Sequence, residues 1–379
     1  MHICMIAPEQ FAVPGSNSVE ICMLAIAGQL ALRHKVTLVS RRIPGLPLVT
    51  EHEGVHIVRL PADSPSVYLR SVISYVEHGI FDIIQVDNRP HLMAAVQSRI
   101  PHIPVVLFLH SLTFVPDTPA TALSLDRASL IIANSRSLER RLARRFPRKV
   151  KDIRVVTLGA DLDRFTPVDP GERLRLRRIY GLPTETFTVL FVGRLIPRKG
   201  VPLLIRAVHT LRGQLPVRLI IAGRGKPDYV RRLKKLSRQL RVPSTFLGNV
   251  SHEEIHQLYQ AADCFVCPSQ RHESFGLVNV EAMASGLPVI ASNNGGIREI
   301  IVSGINGYLV DRYREPRVFS TYLLRLGRSP KLARRIGSQG REDALRNFAW
   351  SHTAFHLESI YQRLLPHRQE AQDQPLSSH

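Results

Sequence analysis

Twice along its 379 residues the chain passes through the same alternation of short apolar runs and helix-length segments. Strand-like runs fall at 3–7, 36–40, 57–60, 83–86, 105–109, 130–133 and 155–157, and the first helical segment spans 18–32. A turn-rich stretch at 158–170 interrupts the pattern. It then restarts, with strand-like runs at 188–192, 218–222, 264–268 and 289–291 and helical segments at 203–211, 229–240 and 276–285. Strands separated by helices pair in parallel and need helices on both sheet faces, so the pattern predicts an α/β chain of two doubly wound, Rossmann-like domains. The expected division is 1–165 and 166–349. A helix at about 350–366 is assigned back to the first domain, and 367–379 forms a polar tail. Two such sheets in succession place a ligand cleft at the carboxyl ends of their strands.

One segment brings chemistry to that edge. In Arg271-His-Glu-Ser-Phe-Gly-Leu-Val-Asn-Val-Glu281, two carboxylates, Glu273 and Glu281, flank a loop-to-helix junction. The first amides of a helix have no internal acceptor and sit at its positive end. N–H groups from Ser274 to Leu277 therefore suit a diphosphate. Carboxylates repel phosphate but accept hydroxyl hydrogen bonds. Hydroxyls at both ends with phosphates between describe a sugar nucleotide. The alternative is a solvated loop glutamate followed by a glutamate on a helix surface.

A second segment, Gly193-Arg-Leu-Ile-Pro-Arg-Lys-Gly200, follows the 188–192 strand and carries Arg194 and Lys199 to the same edge. It lacks the Gly-x-x-x-x-Gly-Lys-Ser/Thr order of a phosphate-binding P-loop. Alone, its alternative reading is a basic surface loop.

Global composition narrows the partners. Lys and Arg number 51 against 31 Asp and Glu, a net charge of +20. The excess clusters at 140–151 and 231–241. Over 138–151, Leu138, Leu142, Ala143 and Phe146 make an apolar stripe beside a basic face, suited to an anionic membrane surface or acidic polymer, or to simple solvation. Aromatic residues are only 6% and no nucleic-acid-binding signature is present, so nucleic acid is not an expected partner. No apolar run approaches the roughly 18 residues of a spanning helix. The first residues read as a strand and not as a signal peptide, so a cytoplasmic location is expected. Cys264 and Cys267 lie within an apolar strand, which favours packing over metal binding.

Taken together, Gly193-Arg194-Leu195…Lys199-Gly200, Glu273-x7-Glu281 and Gly286-x-Pro288-Val289-Ile290 resemble the retaining GT-B glycosyltransferases of the family 4 (group 1) type. Phe246-Leu-Gly-Asn-Val250, Ala261-Ala-Asp-Cys-Phe-Val-Cys-Pro-Ser269 and Gly295-Gly296-Ile-Arg-Glu299 add to the likeness. The resemblance implies transfer of a sugar from a nucleoside-diphosphate sugar, a UDP-sugar being expected, to an acceptor hydroxyl. Arg194 and Lys199 would hold the diphosphate, Glu273 would contact sugar hydroxyls or orient the phosphate end, and Glu281 would bind the ribose. The amides of Phe275, Gly276 and Leu277 would contact phosphate or sugar, and Asn249 and Val250 the base. His110 matches the histidine that contacts the donor sugar, with Glu273, Arg194 and Lys199 completing the catalytic set. Gly15 matches a first-domain glycine loop, although Ser16 replaces its usual second glycine. Asp161-x-Asp163 has metal-binding spacing but falls in the family's linker pattern, so no cofactor and no essential metal are expected. Asp87-Asn88-Arg89-Pro90 is similar to spore-coat and envelope-associated members. The acceptor, whether glycan, lipid or protein, is not identified. A non-catalytic carbohydrate-binding coat protein on this fold and a sugar-nucleotide epimerase remain alternatives.

Overall fold

The computed structural model describes residues 1–15 and 17–365. Strands β1 (His2–Ile6), β2 (Lys35–Arg41), β3 (Val49–His52), β4 (Val55–Leu60), β5 (Ile83–Asp87), β6 (Val105–Leu109), β7 (Leu130–Ala133) and β8 (Ile153–Val155) make the first sheet. Their order is β3-β4-β2-β1-β5-β6-β7-β8. Strands β9 (Phe187–Val192), β10 (Val217–Ala222), β11 (Ser244–Gly248), β12 (Cys264–Cys267), β13 (Val289–Ser292) and β14 (Tyr308–Val310) make the second. These are ordered β11-β10-β9-β12-β13-β14. Central strands such as Val-Val-Leu-Phe-Leu109 are apolar at every position because helices cover both faces. Cys264 and Cys267 point to opposite faces of β12 and enter different apolar clusters.

The sheet edges depart from the sequence reading. Strand β3 is an antiparallel addition to β4 that hydropathy does not reveal, because Val49-Thr-Glu-His52 is mostly exposed. The run expected at 155–157 pairs two residues earlier, as β8.

The basic helix expected over 138–151 is corrected more substantially. It spans Arg136–Arg145, and Pro147 starts a separate 3-10 segment, Pro147–Asp152. Leu138, Leu142 and Phe146 are buried in the first-domain core, so its apolar stripe is already used. Only the basic face, with Arg140, Arg144, Arg148 and Lys151, remains exposed.

Helix Trp350–Leu364 lies against helix Ser18–Ala31 of the first domain. Its Leu357 and Tyr361 are fully buried, each large apolar side chain stabilising by about 1.5–3 kcal/mol. Glu358 accepts from Arg33 at 2.5 Å and His34 at 3.0 Å. The chain therefore crosses between domains twice. The crossings run side by side: Ala160 N donates to the Phe348 carbonyl at 2.8 Å, and Ala160 and Ala349 form a parallel bridge. Arg341 fastens the first crossing, donating to the carbonyls of Leu162, Phe165 and Ala284. The expected tail at 367–379 and the end of the helix expected at 350–366 lie outside the described residues. Among the described residues no helix is long and apolar enough to cross a membrane.

Candidate functional site

In each sheet the strand order reverses beside the first strand, between β1 and β5 in one and between β9 and β12 in the other. Loops diverging from such a point leave a crevice. In the second sheet Lys199, after β9, and Glu273, after β12, meet across it, with Nζ 2.6 Å from Oε2. Ser269 Oγ donates to the same oxygen at 3.1 Å. Asn294, after β13, ties the loop by accepting from Glu273 N at 3.2 Å and donating to the Ser269 carbonyl at 2.7 Å. Burial alone would push the Glu273 carboxyl up, but Lys199, Arg198 and Ser269 outweigh it and hold the group below its ordinary value.

Backbone geometry makes this close packing feasible. Gly200 has φ +75°, and a side chain there would strike the Pro268 carbonyl. Gly295 has φ +58° and lies directly against the Glu273 carbonyl, which accepts from Gly296 N at 2.8 Å. Only glycine meets both demands at these points.

The helix expected at 276–285 spans Leu277–Ala284, with Gly276 as its N-cap. Among the described residues, the N–H groups of Phe275, Gly276 and Leu277 have no acceptor. The loop therefore presents free donors beside the Lys199–Glu273 pair. Glu281 is not a surface glutamate: it is 5% exposed and accepts from the Tyr259 hydroxyl at 2.9 Å. Burial raises its carboxyl to about 7, against the lowering effect of Tyr259. Arg194 is exposed on the loop after β9, whose Gly193 N bonds the Ala222 carbonyl at 3.0 Å. Asn249, exposed, and Val250, half-buried, follow edge strand β11.

The first domain contributes His110 at the end of β6. Its Nε2 lies 2.8 Å from Asp87 Oδ1, and its ring stacks on Phe108 with centroids 4.6 Å apart. Asp87 Oδ2 accepts from Gln85 at 2.8 Å, and Gln85 accepts from the Tyr361 hydroxyl. All three supporting residues are completely buried. Gly15 lies beside the Glu20 carboxylate, which caps the Ser18–Ala31 helix by accepting from Asn17 N at 2.8 Å and Ala12 N at 3.3 Å. This helix start thus carries its own anion. Ser16 lies outside the described residues. Asp161 pairs with Arg164 at 3.1 Å. Among the described residues no group of three or more His, Cys, Asp or Glu is placed to hold a metal ion.

Several supporting residues escape sequence reading. Tyr259, Ser269, Asn294, Gln85 and Tyr361 act over long separations, with no local spacing to mark them. Glu9, after β1, and Arg89, after β5, pair at 2.7 Å across the first sheet's reversal, and Arg89 covers the Phe114 ring at 3.7 Å.

Comparison with known proteins agrees with this arrangement. Residues 19–164 match the glycosyltransferase family 4 profile and residues 172–343 the glycosyl transferases group 1 profile. The chain is 31% identical to spore coat protein SA of Bacillus subtilis (strain 168), the match covering 96% of this chain and 100% of that protein. Its fold is similar to that of sucrose-phosphate synthase from Thermosynechococcus elongatus, with TM-score 0.83, 24% identity and coverage of 96% and 98%. It is also similar to Anabaena Alr3699/HepE solved in complex with UDP-glucose, with TM-score 0.80, 22% identity and coverage of 96% and 100%. With two parallel sheets facing a cleft and both family profiles matched in order, the chain belongs to the group 1 glycosyltransferases of GT-B fold.

Proposed function

We propose that the chain transfers a sugar from a UDP-sugar to an acceptor hydroxyl with retention of anomeric configuration. The observation that carries this reading is the Lys199–Glu273 pair beside three unpaired amides, Phe275 to Leu277. That combination offers cationic and backbone donors to a diphosphate and a carboxylate to sugar hydroxyls. Glu281 would take the ribose hydroxyls. Asn249 and Val250 would flank the base, and His110 would approach the sugar from the first domain.

In the transfer the bond from the anomeric carbon to the diphosphate oxygen breaks. The acceptor oxygen bonds that carbon on the same face, and its proton passes to the departing diphosphate. Negative charge grows on the leaving group, where Arg194, Lys199 and the free amides stabilise it more than in the ground state. Because these groups supply the positive charge, the reaction requires no metal. The likeness to a spore coat protein supports an acceptor in the spore coat.

A thermal-shift screen of nucleotide sugars, with and without EDTA, tests the donor reading, since a ligand that binds only the folded state raises Tm. UDP and UDP-glucose should give the largest shifts, unchanged by EDTA. Stabilisation by ADP- or GDP-sugars alone overturns the UDP assignment. Loss of activity in EDTA with recovery on adding magnesium or manganese overturns the metal-free mechanism.

A further inference from the structure

The donor loop is held from the opposite domain. Helix Arg136–Arg145 begins at the first domain's cleft edge, and its first N–H groups have no partners within the helix. The Glu299 carboxylate, from the second domain, receives both: Arg136 N donates to Oε2 and Ser137 N to Oε1, each at 2.8 Å. Ser135 Oγ caps the same helix by accepting from Leu138 N at 3.0 Å, and it donates to the Ser274 carbonyl at 2.5 Å. Ser137 Oγ lies 2.9 Å from His272 Nε2. Burial, with Arg141 and Arg298 nearby, lowers His272 to about 4, so this contact is between neutral groups at neutral pH.

These contacts converge on the loop that carries Glu273. Ser274 turns its carbonyl to Ser135, while the following amides, Phe275 to Leu277, stay unpaired. Glu299 ends the short 3-10 segment Gly295–Glu299, whose Gly296 N holds the Glu273 carbonyl at 2.8 Å. One carboxylate therefore binds the first domain at its side chain and the donor loop through its own short segment. A carboxylate at a helix N-terminus gains from the dipole and from charge-assisted hydrogen bonds. Separating the domains would return two amides and the Ser274 carbonyl to water together.

We propose that Glu299 is a positioning residue for glycosyl transfer: by capping the Arg136–Arg145 helix across the cleft, it fixes the loop at 272–277 in its working shape. The inference rests on reading that loop as the nucleotide-sugar seat. Glu299→Gln keeps the size of the side chain but turns an NH2 toward one of the two N–H groups.

Hydrogen–deuterium exchange of the ligand-free full chain is the direct test. Glu299→Gln should speed exchange in two places, at Arg136 and Ser137 and also at Glu273 and Gly296, whose bonded amides hold the loop. Faster exchange confined to the helix, or none, overturns the proposal, because a purely local cap would not reach the loop. Should Glu299→Gln fail to fold, Glu299→Asp, which withdraws the carboxylate by one methylene, should give the same paired rise at smaller amplitude. In UDP-glucose hydrolysis, kcat should fall about ten- to a hundredfold with UDP affinity changed less than about threefold. Equal kcat in wild type and variant overturns the positioning role. Failure of wild type to bind UDP by calorimetry would sink the nucleotide reading alone, since the exchange result stands without ligand.

Discussion

The Tyr259 hydroxyl donates to Oε2 of Glu281 at 2.9 Å, in a setting where burial raises that carboxyl from an ordinary value of 4.5 to about 7. A ribose diol binds best to the ionised form, which has lone pairs to accept both hydroxyls. UDP affinity should therefore rise as pH climbs through 7 and then level off, with proton release on binding near that pH. Calorimetry in two buffers of different ionisation enthalpy would detect the release. Glu281→Gln should weaken UDP and remove this part of the pH dependence. Stability should move oppositely: the folded pKa is raised, so stability from the neutral carboxyl is complete below about 4.5 and lost as pH rises through about 7. The Tm gap between Glu281→Gln and wild type should shift toward the variant over that window.

Lys199→Ala should harm stability as well as catalysis. Lys199 and Glu273 are only 15% and 17% exposed, so removing the cation strands a largely buried carboxylate. A loss of about 2–4 kcal/mol is expected in urea unfolding. Adding Glu273→Gln should recover part of it. Additive losses in the double variant would show that the pair does not interact energetically.

Tyr361 lies far from the donor loop in sequence, yet it supports His110 through Gln85 and Asp87. Tyr361→Phe leaves the buried Gln85 carbonyl unpartnered, at a cost of about 1–3 kcal/mol. With His110 less firmly oriented, kcat for UDP-glucose hydrolysis should fall while UDP affinity holds. An unchanged kcat would make this chain of bonds structural only.

Because Leu138, Leu142 and Phe146 are buried, the basic face of Arg136–Arg145 has no apolar surface to insert into a bilayer. Any attraction to anionic vesicles should be electrostatic. Sedimentation with acidic liposomes should show binding that disappears between about 0.1 and 1 M salt, as the Debye length shrinks from about 10 to 3 Å. Binding that survives 1 M salt would contradict this arrangement.

Features with a local signal were legible in the sequence. The buried strands read clearly because each is apolar at nearly every position, whereas Gly193…Gly200 and Glu273…Glu281 were each ambiguous alone and became informative only together, as a family pattern. Edge strand β3 did not read clearly, since Val49-Thr-Glu-His52 pairs only on one side and stays exposed. The amphipathic pattern over 138–151 indicates a helix but not its end at Arg145, and periodicity cannot say whether an apolar stripe meets a membrane or the protein's own core. Glu281 was placed as a ribose ligand without any sign of Tyr259, twenty-two residues earlier, because that contact exists only once β12 and its helices pack. Asp87 and Arg89 stood in the quoted sequence, yet nothing local tied them to His110 or to Glu9.

The return of helix Trp350–Leu364 to the first domain also sets an order of assembly. When the ribosome has made residues 1–165, the Ser18–Ala31 helix has no cover for the surface that Leu357 and Tyr361 later bury, and Gln85 has no hydroxyl beneath it. The second domain can close its own sheet before that happens. The first domain to be synthesised is therefore the last to be completed, and a nascent chain must carry its exposed apolar face through the whole synthesis of the second.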